Sequence, residues 1–545
     1  MPVEHPAAPP APSKEVDAIV VGAGFAGLYM LHRLRQLGLN ACVLEAGSEI
    51  GGTWFWNRYP GARCDIESLE YSYSFSDDLQ QSWHWTERYA SQAEILRYIH
   101  HVADRFDLRR DIRLGTRVAS ALFDEAGGHW TVRTEAGEAI TARFCIMATG
   151  CLSAAKLPEI PGLDRFEGQR YHTGLWPEGG VDFSGQRVGV IGTGSSGIQT
   201  IPMVAQQAAQ VFVFQRTPHF SLPANNRPLD PREERETKAH YAEVRKAARD
   251  SASGVAGYPV PTQSAFDVSE AERNAAYEQH WNDGRTAIGR VFNDLLTDAR
   301  ANETAADFVR GKIRAMVRDP EVAASLVPQH FIGTKRVCLD TGYFDTYNRP
   351  NVQLVDLRKS PLVEFTATGV CTEAARYELD SVIFATGFDA MTGALLAIDI
   401  RTTAGASLRD HWAAGPRTCL GLASAGFPNL FFITGPGSPS VLSNVIVCIE
   451  QHVDWISDCL AEIQRRGADR IEASAAAEND WVEHVNEVAN RTLFPIANSW
   501  YLGANVPGKP RVFMPYVGGV GAYRKICDQV ATDGYRGFRI SRNPT

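Results

Sequence analysis

The chain has 545 residues, enough for two or three domains with sizeable cores. Its 44% apolar and 21% charged residues are typical of a globular enzyme, and its net charge of −9 argues against nucleic acid or an anionic membrane surface as the main partner. The ten cysteines include no CxxC pair, which favours reduced thiols in a cytoplasmic protein over a disulfide framework or a metal site.

The N-terminal segment, residues 1–15, is rich in Pro and Ala. It lacks the apolar core of a signal peptide or membrane anchor, so we expect a disordered arm. The strongest apolar runs elsewhere, such as FPNLFFITGPG, are too short to span a bilayer. We therefore predict no membrane partner.

A dinucleotide-binding pattern follows the arm. An apolar strand leads into Gly22-x-Gly24-x-x-Gly27, an apolar-periodic helix follows, and a second strand ends at Glu45. The glycines allow a tight turn and close approach to a pyrophosphate, which the helix N-terminus faces, while the carboxylate can accept hydrogen bonds from a ribose. A glycine-rich loop alone is a weak signal, but the strand, helix and acid together predict a Rossmann-like unit.

A second unit repeats the pattern with Gly192-x-Gly194-x-x-Gly197. Here the acid is missing, and Arg216 stands near the end of the second strand. A carboxylate would repel a 2′-phosphate, whereas a guanidinium can bind it through bidentate hydrogen bonds. The second site is thus predicted to prefer NADP(H), with Arg216 as an ordinary surface charge the less favoured alternative. Two sites of different preference suggest FAD at the first and NADPH at the second.

Two apolar strands end in Ala-Thr-Gly, within 142–150 and 379–389, and are interpreted as the points where the chain passes between the nucleotide domains. Two ordinary buried strands with turn glycines are the alternative. Charged amphipathic helices interrupt the second unit. We predict an α/β protein with two Rossmann-like domains, divided into an arm (1–15), an FAD-binding domain (16–150 and 386–545), an NADPH-binding domain (151–227 and 331–385) and a helical insertion (228–330).

The stretch GGTWFWNRYPGARCDIES, residues 51–68, helps to decide between two kinds of flavin enzyme. A flavin-linked disulfide reductase needs a redox-active cysteine pair, and this stretch has only Cys64. Its aromatic residues instead suit the wall of an apolar flavin and substrate cavity.

The segment FEGQRYHTGLWP, residues 166–177, fits the pattern FxGxxxHxxxWP through Phe166, Gly168, His172, Trp176 and Pro177. This pattern resembles the fingerprint of the type I Baeyer–Villiger monooxygenases. GTWFWNRYPGARCD resembles a second pattern of the same family, and the two glycine loops, FATGFDAMTGAL and SWYLGANVPGKPRVF extend the resemblance over nearly the whole chain. Within the family, the chain is most similar to the phenylacetone and steroid monooxygenase branch.

The resemblance implies an FAD-containing, NADPH-dependent monooxygenase that uses O2 to convert ketones (aromatic, cyclic or steroid-like) into esters or lactones. In such an enzyme NADPH reduces FAD, and O2 adds to give a C4a-peroxyflavin. The peroxide anion attacks the carbonyl, and the resulting Criegee intermediate rearranges. Because these species are anionic in a site that excludes water, a fixed cation beside them is expected to be worth more than in solvent.

The resemblance makes Arg336 that cation and Asp65 its partner, and it assigns Lys335 with Arg216 and Thr217 to the 2′-phosphate. Trp500 resembles a late tryptophan that contacts the nicotinamide cofactor. Ser440, Val441 and Leu442 are candidates for the substrate pocket. Further residues expected at the cofactors are Phe25, Ala26, Gly52, Thr53, Trp54, Trp56, Arg63, Tyr71, Val118, Thr193, Ser195 and Ser196. Without the resemblance, an Arg–Asp pair is more often structural and a lone tryptophan more often core.

His172 could be read as a general base because it is a histidine near a cofactor. Its position between the first Ala-Thr-Gly and the second glycine loop instead favours a connector that sets how the two domains face each other. Two other functions stay open: a flavin oxygenase acting mainly on sulfur or nitrogen, and a non-catalytic FAD/NADP(H)-binding redox sensor. A small-molecule ketone and O2 are the expected partners, and a monomer is plausible.

Overall fold

A computed structural model describes residues 14–258 and 260–542. In chain order, its strands are β1 (Lys14–Val21), β2 (Ala41–Leu44), β3 (Ile112–Arg113), β4 (Val118–Asp124), β5 (His129–Thr134), β6 (Ala139–Met147), β7 (Gln169–His172), β8 (Arg187–Ile191), β9 (Gln210–Gln215), β10 (Ser221–Pro223), β11 (Cys338–Asp340), β12 (Val352–Asp356), β13 (Leu362–Thr366), β14 (Gly369–Thr372), β15 (Arg376–Glu378), β16 (Ser381–Phe384), β17 (Asp399–Thr402), β18 (Leu430–Phe432), β19 (Arg470–Ala473) and β20 (Phe538–Ser541).

Its α-helices are α1 (Phe25–Gln36), α2 (Thr53–Trp56), α3 (Asp77–Ser82), α4 (Gln92–Arg105), α5 (Ser195–Val204), α6 (Pro231–Ala239), α7 (Tyr241–Asp250), α8 (Glu270–Asp283), α9 (Ala299–Met316), α10 (Pro320–Leu326), α11 (Tyr343–Thr346), α12 (Gly393–Leu396), α13 (Leu408–His411), α14 (Val445–Arg465), α15 (Ala475–Asn490) and α16 (Val520–Thr532). No helix of the described residues is long and apolar enough to cross a membrane.

The first sheet has the strand order β17-β4-β5-β6-β1-β2-β3, and β18 pairs with β6. Strands β2, β1, β6 and β18 are parallel neighbours, whereas β4, β5 and β6 are joined antiparallel. Every residue of β2 is buried, as expected for a parallel strand covered on both faces. Because β17 and β18 come late in the chain, the C-terminal part returns to the sheet that begins at β1. The predicted arm lies mostly outside the described residues, and its last two positions, Lys14 and Glu15, begin β1.

The second sheet has the order β12-β9-β8-β16-β7, and all of its neighbours are parallel. Helices α6 to α10 lie between β10 and β11, two short strands that pair with each other. The connector segment 166–177 contributes an edge strand, because Gln169–His172 pairs with Ser381–Phe384. The predicted α/β fold class with two Rossmann-like units is confirmed: the second sheet is wholly parallel, and the first is a mixed sheet with the parallel core β2-β1-β6-β18. The predicted domain bounds stay a prediction.

The loop after α2 contacts α5, the helix that follows the second glycine loop. The Tyr59 hydroxyl donates to Gln199 Oε1 at 2.7 Å, and Gln199 Nε2 donates to the Arg63 carbonyl oxygen at 3.0 Å. Gly61 has a φ of +83°, and a Cβ atom there would lie 2.4 Å from the Gln199 carbonyl oxygen. The two nucleotide-binding units therefore meet at a backbone-to-backbone approach that only glycine allows.

Replacing Gly61 with Ala is expected to lower the free energy of unfolding by about 1–3 kcal/mol more than a control substitution, because the new methyl meets the backbone of α5. Gly115→Ala is the matched control: Gly115 has a φ of +60° with no atom within 4 Å of the added Cβ. Both variants carry the left-handed conformation, but only one carries the clash. Urea unfolding measures the difference in the free energy of unfolding. Equal losses in the two variants would show that the close approach to α5 adds no cost.

Candidate active site

The first glycine loop connects β1 to α1. Gly22 has a φ of +107°, and a Cβ atom there would lie 2.5 Å from the Ala148 carbonyl oxygen. A Cβ at Gly27 would lie 1.8 Å from the Gly22 carbonyl oxygen. The first residues of α1 are Phe25 and Ala26, and the N-cap residue, Gly24, has no side chain that could cap the helix. No N-cap side chain therefore occupies the backbone N–H groups at the helix N-terminus, which fits a bound pyrophosphate.

Glu45 lies at the end of β2 beside this loop and is buried. Its two carboxylate oxygens accept hydrogen bonds from the backbone N–H groups of Ala23 and Gly47, each at 2.7 Å. These bonds fix the carboxylate and leave it further lone pairs for a ribose diol. The residues of this loop therefore fit the dinucleotide part of FAD.

The second glycine loop repeats the arrangement between β8 and α5. A Cβ at Gly192 would lie 2.4 Å from the Ala385 carbonyl oxygen, and one at Gly197 would lie 2.3 Å from the Gly192 carbonyl oxygen. The loop side chains bond to neighbouring elements: Thr193 Oγ1 donates to the Thr217 carbonyl oxygen (3.1 Å), and Ser195 Oγ and Ser196 Oγ lie 3.1 Å from Cys338 Sγ and Thr173 Oγ1. A Cβ at Gly194 would meet no atom within 4 Å.

Arg216 and Lys335 form a cationic pair beside the second loop. Burial and the nearby charge of Arg216 lower the pKa of the Lys335 ammonium. Burial and the charge of Lys335 also lower the pKa of His219 to about 4 and that of His330 to about 3. Among the described residues, neither Arg216 nor Lys335 has a carboxylate partner. Two adjacent cations that no protein acid neutralises fit a dianionic 2′-phosphate.

Arg336 and Asp65, 271 residues apart in sequence, form a bidentate ion pair. Arg336 Nε and Nη2 donate to the two carboxylate oxygens at 2.8 and 2.6 Å, and Nη1 donates to the Val441 carbonyl oxygen at 2.9 Å. Burial alone would lower the pKa of the guanidinium, but the Asp65 charge and its hydrogen bonds raise that pKa above its ordinary value. The site thus contains a permanent cation held by three hydrogen bonds to two partners.

The remaining predicted cofactor residues fall into three groups. Trp54 and Tyr71 are buried and bonded to each other, Trp54 Nε1 donating to the Tyr71 hydroxyl at 3.2 Å. Gly52, Thr53 and Trp56 are at α2, where a Cβ on Gly52 would lie 2.9 Å from Gly24 Cα. Arg63 is committed to Glu87 and the Tyr89 carbonyl oxygen, and Val118 is buried at the start of β4.

The fingerprint residues pack around the second sheet and its Ala-Thr-Gly turn. Phe166 and Trp176 are buried, and a Cβ at Gly168 would lie 2.7 Å from the Asp380 carbonyl oxygen. His172 Nδ1 accepts the Gly174 N–H at 2.9 Å, and its Nε2 lies 3.5 Å from Thr386 Oγ1. Burial lowers the pKa of His172.

The N–H of Trp176, next to Pro177, donates to the Trp56 carbonyl oxygen at 3.4 Å, which ties the connector to α2. The hydrogen bonds of His172 thus lie within the connector and the Ala-Thr-Gly turn.

The predicted pocket residues 440–442 lie in residues 434–444, which we name the pocket loop. Ser440 is fully buried with a φ of +44°, and its Oγ lies 3.1 Å from Cys151 Sγ. Val441, Leu442 and Trp500 pack against the same buried cluster, which contains Tyr501, and the Trp500 and Tyr501 ring centroids are 4.3 Å apart. Cys151, which directly follows the first Ala-Thr-Gly, was missed from the sequence although its position after that strand could have indicated it.

Nine of the ten cysteines are buried, and Cys151 is half-buried. Burial raises the pKa of the Cys64 thiol well above its ordinary range, which keeps it protonated and unreactive. Among the residues that the structure describes, Cys64 has no second thiol bonded to it that could relay electrons from a flavin.

Comparison with known proteins places these features in context. A family model described as pyridine nucleotide-disulphide oxidoreductase matches residues 19–252. A Baeyer-Villiger monooxygenase of Pseudooceanicola batsensis is 41% identical over 96% of this chain and 95% of its own, and the phenazine N-monooxygenase PhzNO1 of Lysobacter antibioticus is 42% identical over 97% and 98%. The solved structure of an oxidized steroid monooxygenase bound to NADP is 54% identical, with a TM-score of 0.93, 97% of this chain and 100% of that chain being covered.

Proposed function

Since the chain belongs to the Baeyer–Villiger monooxygenase family, we propose that it is an FAD-containing, NADPH-dependent enzyme that uses O2 to convert ketones into esters or lactones. The observation that carries this proposal is the Arg336–Asp65 pair, a permanent cation beside the pocket loop. FAD held at the first glycine loop would supply the redox chemistry, with NADPH as its hydride donor and O2 as the oxidant that gives one oxygen atom to the ketone and the other to water.

The chain's own residues bind the two cofactors, orient the Arg336 guanidinium and stabilise the negative charge of the reaction. Arg216, Lys335 and Thr217 bind the 2′-phosphate of NADPH, and Glu45 binds the FAD ribose. Arg336 stabilises the negative charge that develops when the carbonyl is attacked, because a guanidinium does not deprotonate and its donor fork is planar. Asp65 is its positioning partner: two hydrogen bonds hold the fork in one plane.

Aromatic side chains exclude water from the flavin side of the cavity. Trp54 and Tyr71 meet edge to face with ring centroids 5.8 Å apart, and Phe25 packs against Tyr71 at 5.7 Å. In a drier site, each charge–charge interaction of Arg336 is less screened. Trp500 is assigned to the nicotinamide side and residues 440–442 to the ketone.

We keep the predicted domain division as part of the proposal, since β17 and β18 join the first sheet and β12 and β16 join the second. A cytoplasmic location is proposed because the cysteines other than Cys42 are free thiols. The connector is proposed to orient the two domains, because it pairs with β16 and also bonds to α2.

The proposal is tested with purified holoenzyme, NADPH and a panel of acyclic, aromatic, small cyclic and steroid ketones, with esters and lactones as the readout. A sulfide and a phenazine in the same assay report oxygenation at sulfur and nitrogen. We expect ester formation coupled to NADPH consumption. Oxidised sulfide or phenazine without any ester would instead support a heteroatom oxygenase, and nucleotide binding without substrate-dependent NADPH consumption would support a sensor.

A further inference from the structure

A chain of buried hydrogen bonds lies behind the pocket loop, on α14 and α16. His452 is fully buried, and its Nδ1 accepts the Thr434 N–H at 2.9 Å. Its Nε2 lies 2.8 Å from the Tyr523 hydroxyl, which lies 2.5 Å from the Leu420 carbonyl oxygen. The first residue of the pocket loop is thus joined through two side chains to a separate turn of the protein.

The direction of each bond follows from the chemistry of the groups. Burial lowers the pKa of His452 to about 3, so the imidazole is neutral, with one donor and one acceptor nitrogen. The Thr434 N–H can only donate, so Nδ1 accepts and Nε2 carries the proton. Nε2 then donates to the Tyr523 oxygen, and the Tyr523 hydroxyl donates to the Leu420 carbonyl. The hydrogen bonds from His452 to Leu420 therefore run in one direction, and both nitrogens of His452 and the hydroxyl of Tyr523 have hydrogen-bond partners.

The pocket loop needs such a support because its backbone is strained at two places. Thr434 and Ser440 have φ values of +56° and +44°. Each such conformation costs about 1–3 kcal/mol for a residue with a side chain and persists only where the surroundings hold it. At its far end the loop offers the Val441 carbonyl to Arg336 Nη1. His452 therefore holds the start of the segment whose end holds the catalytic cation.

We propose that His452 is a positioning residue for the ketone pocket: by binding the Thr434 amide, it fixes the pocket loop so that the Val441 carbonyl meets Arg336. The inference rests on the proposed function, because it takes the loop as the wall of the ketone site. No hydrogen bond or ion pair within the described parts of the chain joins His452 or Tyr523 to Arg336, so both act through the loop backbone. A role confined to core packing would predict lower stability without a change in ketone binding.

Two substitutions of His452 separate these roles. An asparagine oxygen lies two bonds from Cβ, as Nδ1 does, and can still accept the Thr434 N–H. A glutamine places its polar atoms three bonds from Cβ, as Nε2 is, and leaves the Thr434 N–H without its acceptor. We expect His452→Gln to raise the ketone KM about tenfold and lower the ester formed per NADPH, and His452→Asn to leave the ketone KM close to that of wild type. The rate of flavin reduction by NADPH should be unchanged in both.

Equal effects of Asn and Gln, or an unchanged ketone KM in His452→Gln, would overturn the positioning role. Tyr523→Phe keeps the ring and removes only the hydroxyl, so it serves if both His452 variants fold poorly. We expect it to raise the ketone KM about threefold, and wild-type behaviour would again contradict the inference.

Hydrogen exchange of the holoenzyme gives a readout that needs no substrate. Peptides covering 434–444 should exchange faster in His452→Gln and Tyr523→Phe, while peptides covering β1 should be unchanged. If wild type forms no ester from any ketone, the proposed function fails. Unchanged exchange in the pocket loop overturns the positioning role, whatever the substrate is.

Discussion

Arg336→Ala is expected to lower the rate of ester formation by about 10²–10³-fold, the usual loss when one group that stabilises transition-state charge is removed. Reduction of the flavin by NADPH should stay close to wild type, because hydride transfer precedes the step at which negative charge develops on the carbonyl oxygen. Stopped-flow absorbance measures flavin reduction, and product analysis measures the ester. Normal ester yield in this variant would remove Arg336 from the catalytic role.

Arg187→Ala is the matched control for that variant. Arg187 also forms a bidentate pair, with its Nε and Nη2 donating to Asp380 at 3.2 and 2.8 Å, but this pair is exposed. Exposed pairs of this kind contribute about 0–1 kcal/mol to stability, and we expect no loss of ester formation. Arg336→Lys extends the comparison: it keeps the charge but cannot bond Asp65 through two parallel N–H groups and Val441 at once, so it should recover only part of the rate.

The second large effect is expected on coenzyme choice. Arg216→Ala should raise the KM for NADPH by roughly 10–100-fold, because a charge-assisted bond to phosphate contributes about 1.5–3 kcal/mol. The KM for NADH should change little, since NADH has no 2′-phosphate. Steady-state kinetics with both coenzymes give the ratio directly, and an equal rise for both would exclude Arg216 from the 2′-phosphate.

Arg358→Ala is the control on the neighbouring strand. Arg358 follows β12, which pairs with β9, and its guanidinium is already bonded to Asp356 at 2.7 Å. Its charge is therefore neutralised by the protein, and its loss should leave the NADPH-to-NADH preference unchanged. The contrast tests whether an unpaired cation, rather than positive charge in general, selects the phosphate.

The two glycine loops could be predicted because their physical requirements are local in sequence. Gly27 is placed by the Gly22 carbonyl five residues earlier, and the strand, loop and helix follow one another without interruption. Glu45 is equally accessible to prediction, since it ends the next strand along the chain. A sequence pattern predicts a site when the groups that interact there are close in sequence.

The proposed catalytic pair could not be predicted from local sequence patterns. Arg336 and Asp65 are 271 residues apart and meet only after both sheets have formed, so only the family resemblance pointed to them. His452 was missed for the same reason, because a histidine in the middle of a long apolar helix carries no sign that it binds a distant loop amide. The edge strand β7 was missed because its partner β16 lies more than 200 residues away.

The bond from Arg336 to residue 441 is made to the main-chain carbonyl and not to the side chain. In the proposed ketone pocket, substitutions at position 441 would change the volume and polarity of the wall without removing the carbonyl that orients the guanidinium. Charge placement and pocket shape are carried by different parts of the same residue. In the proposed ketone pocket, such a separation would allow side-chain substitutions that alter substrate choice while the bond to Arg336 is retained.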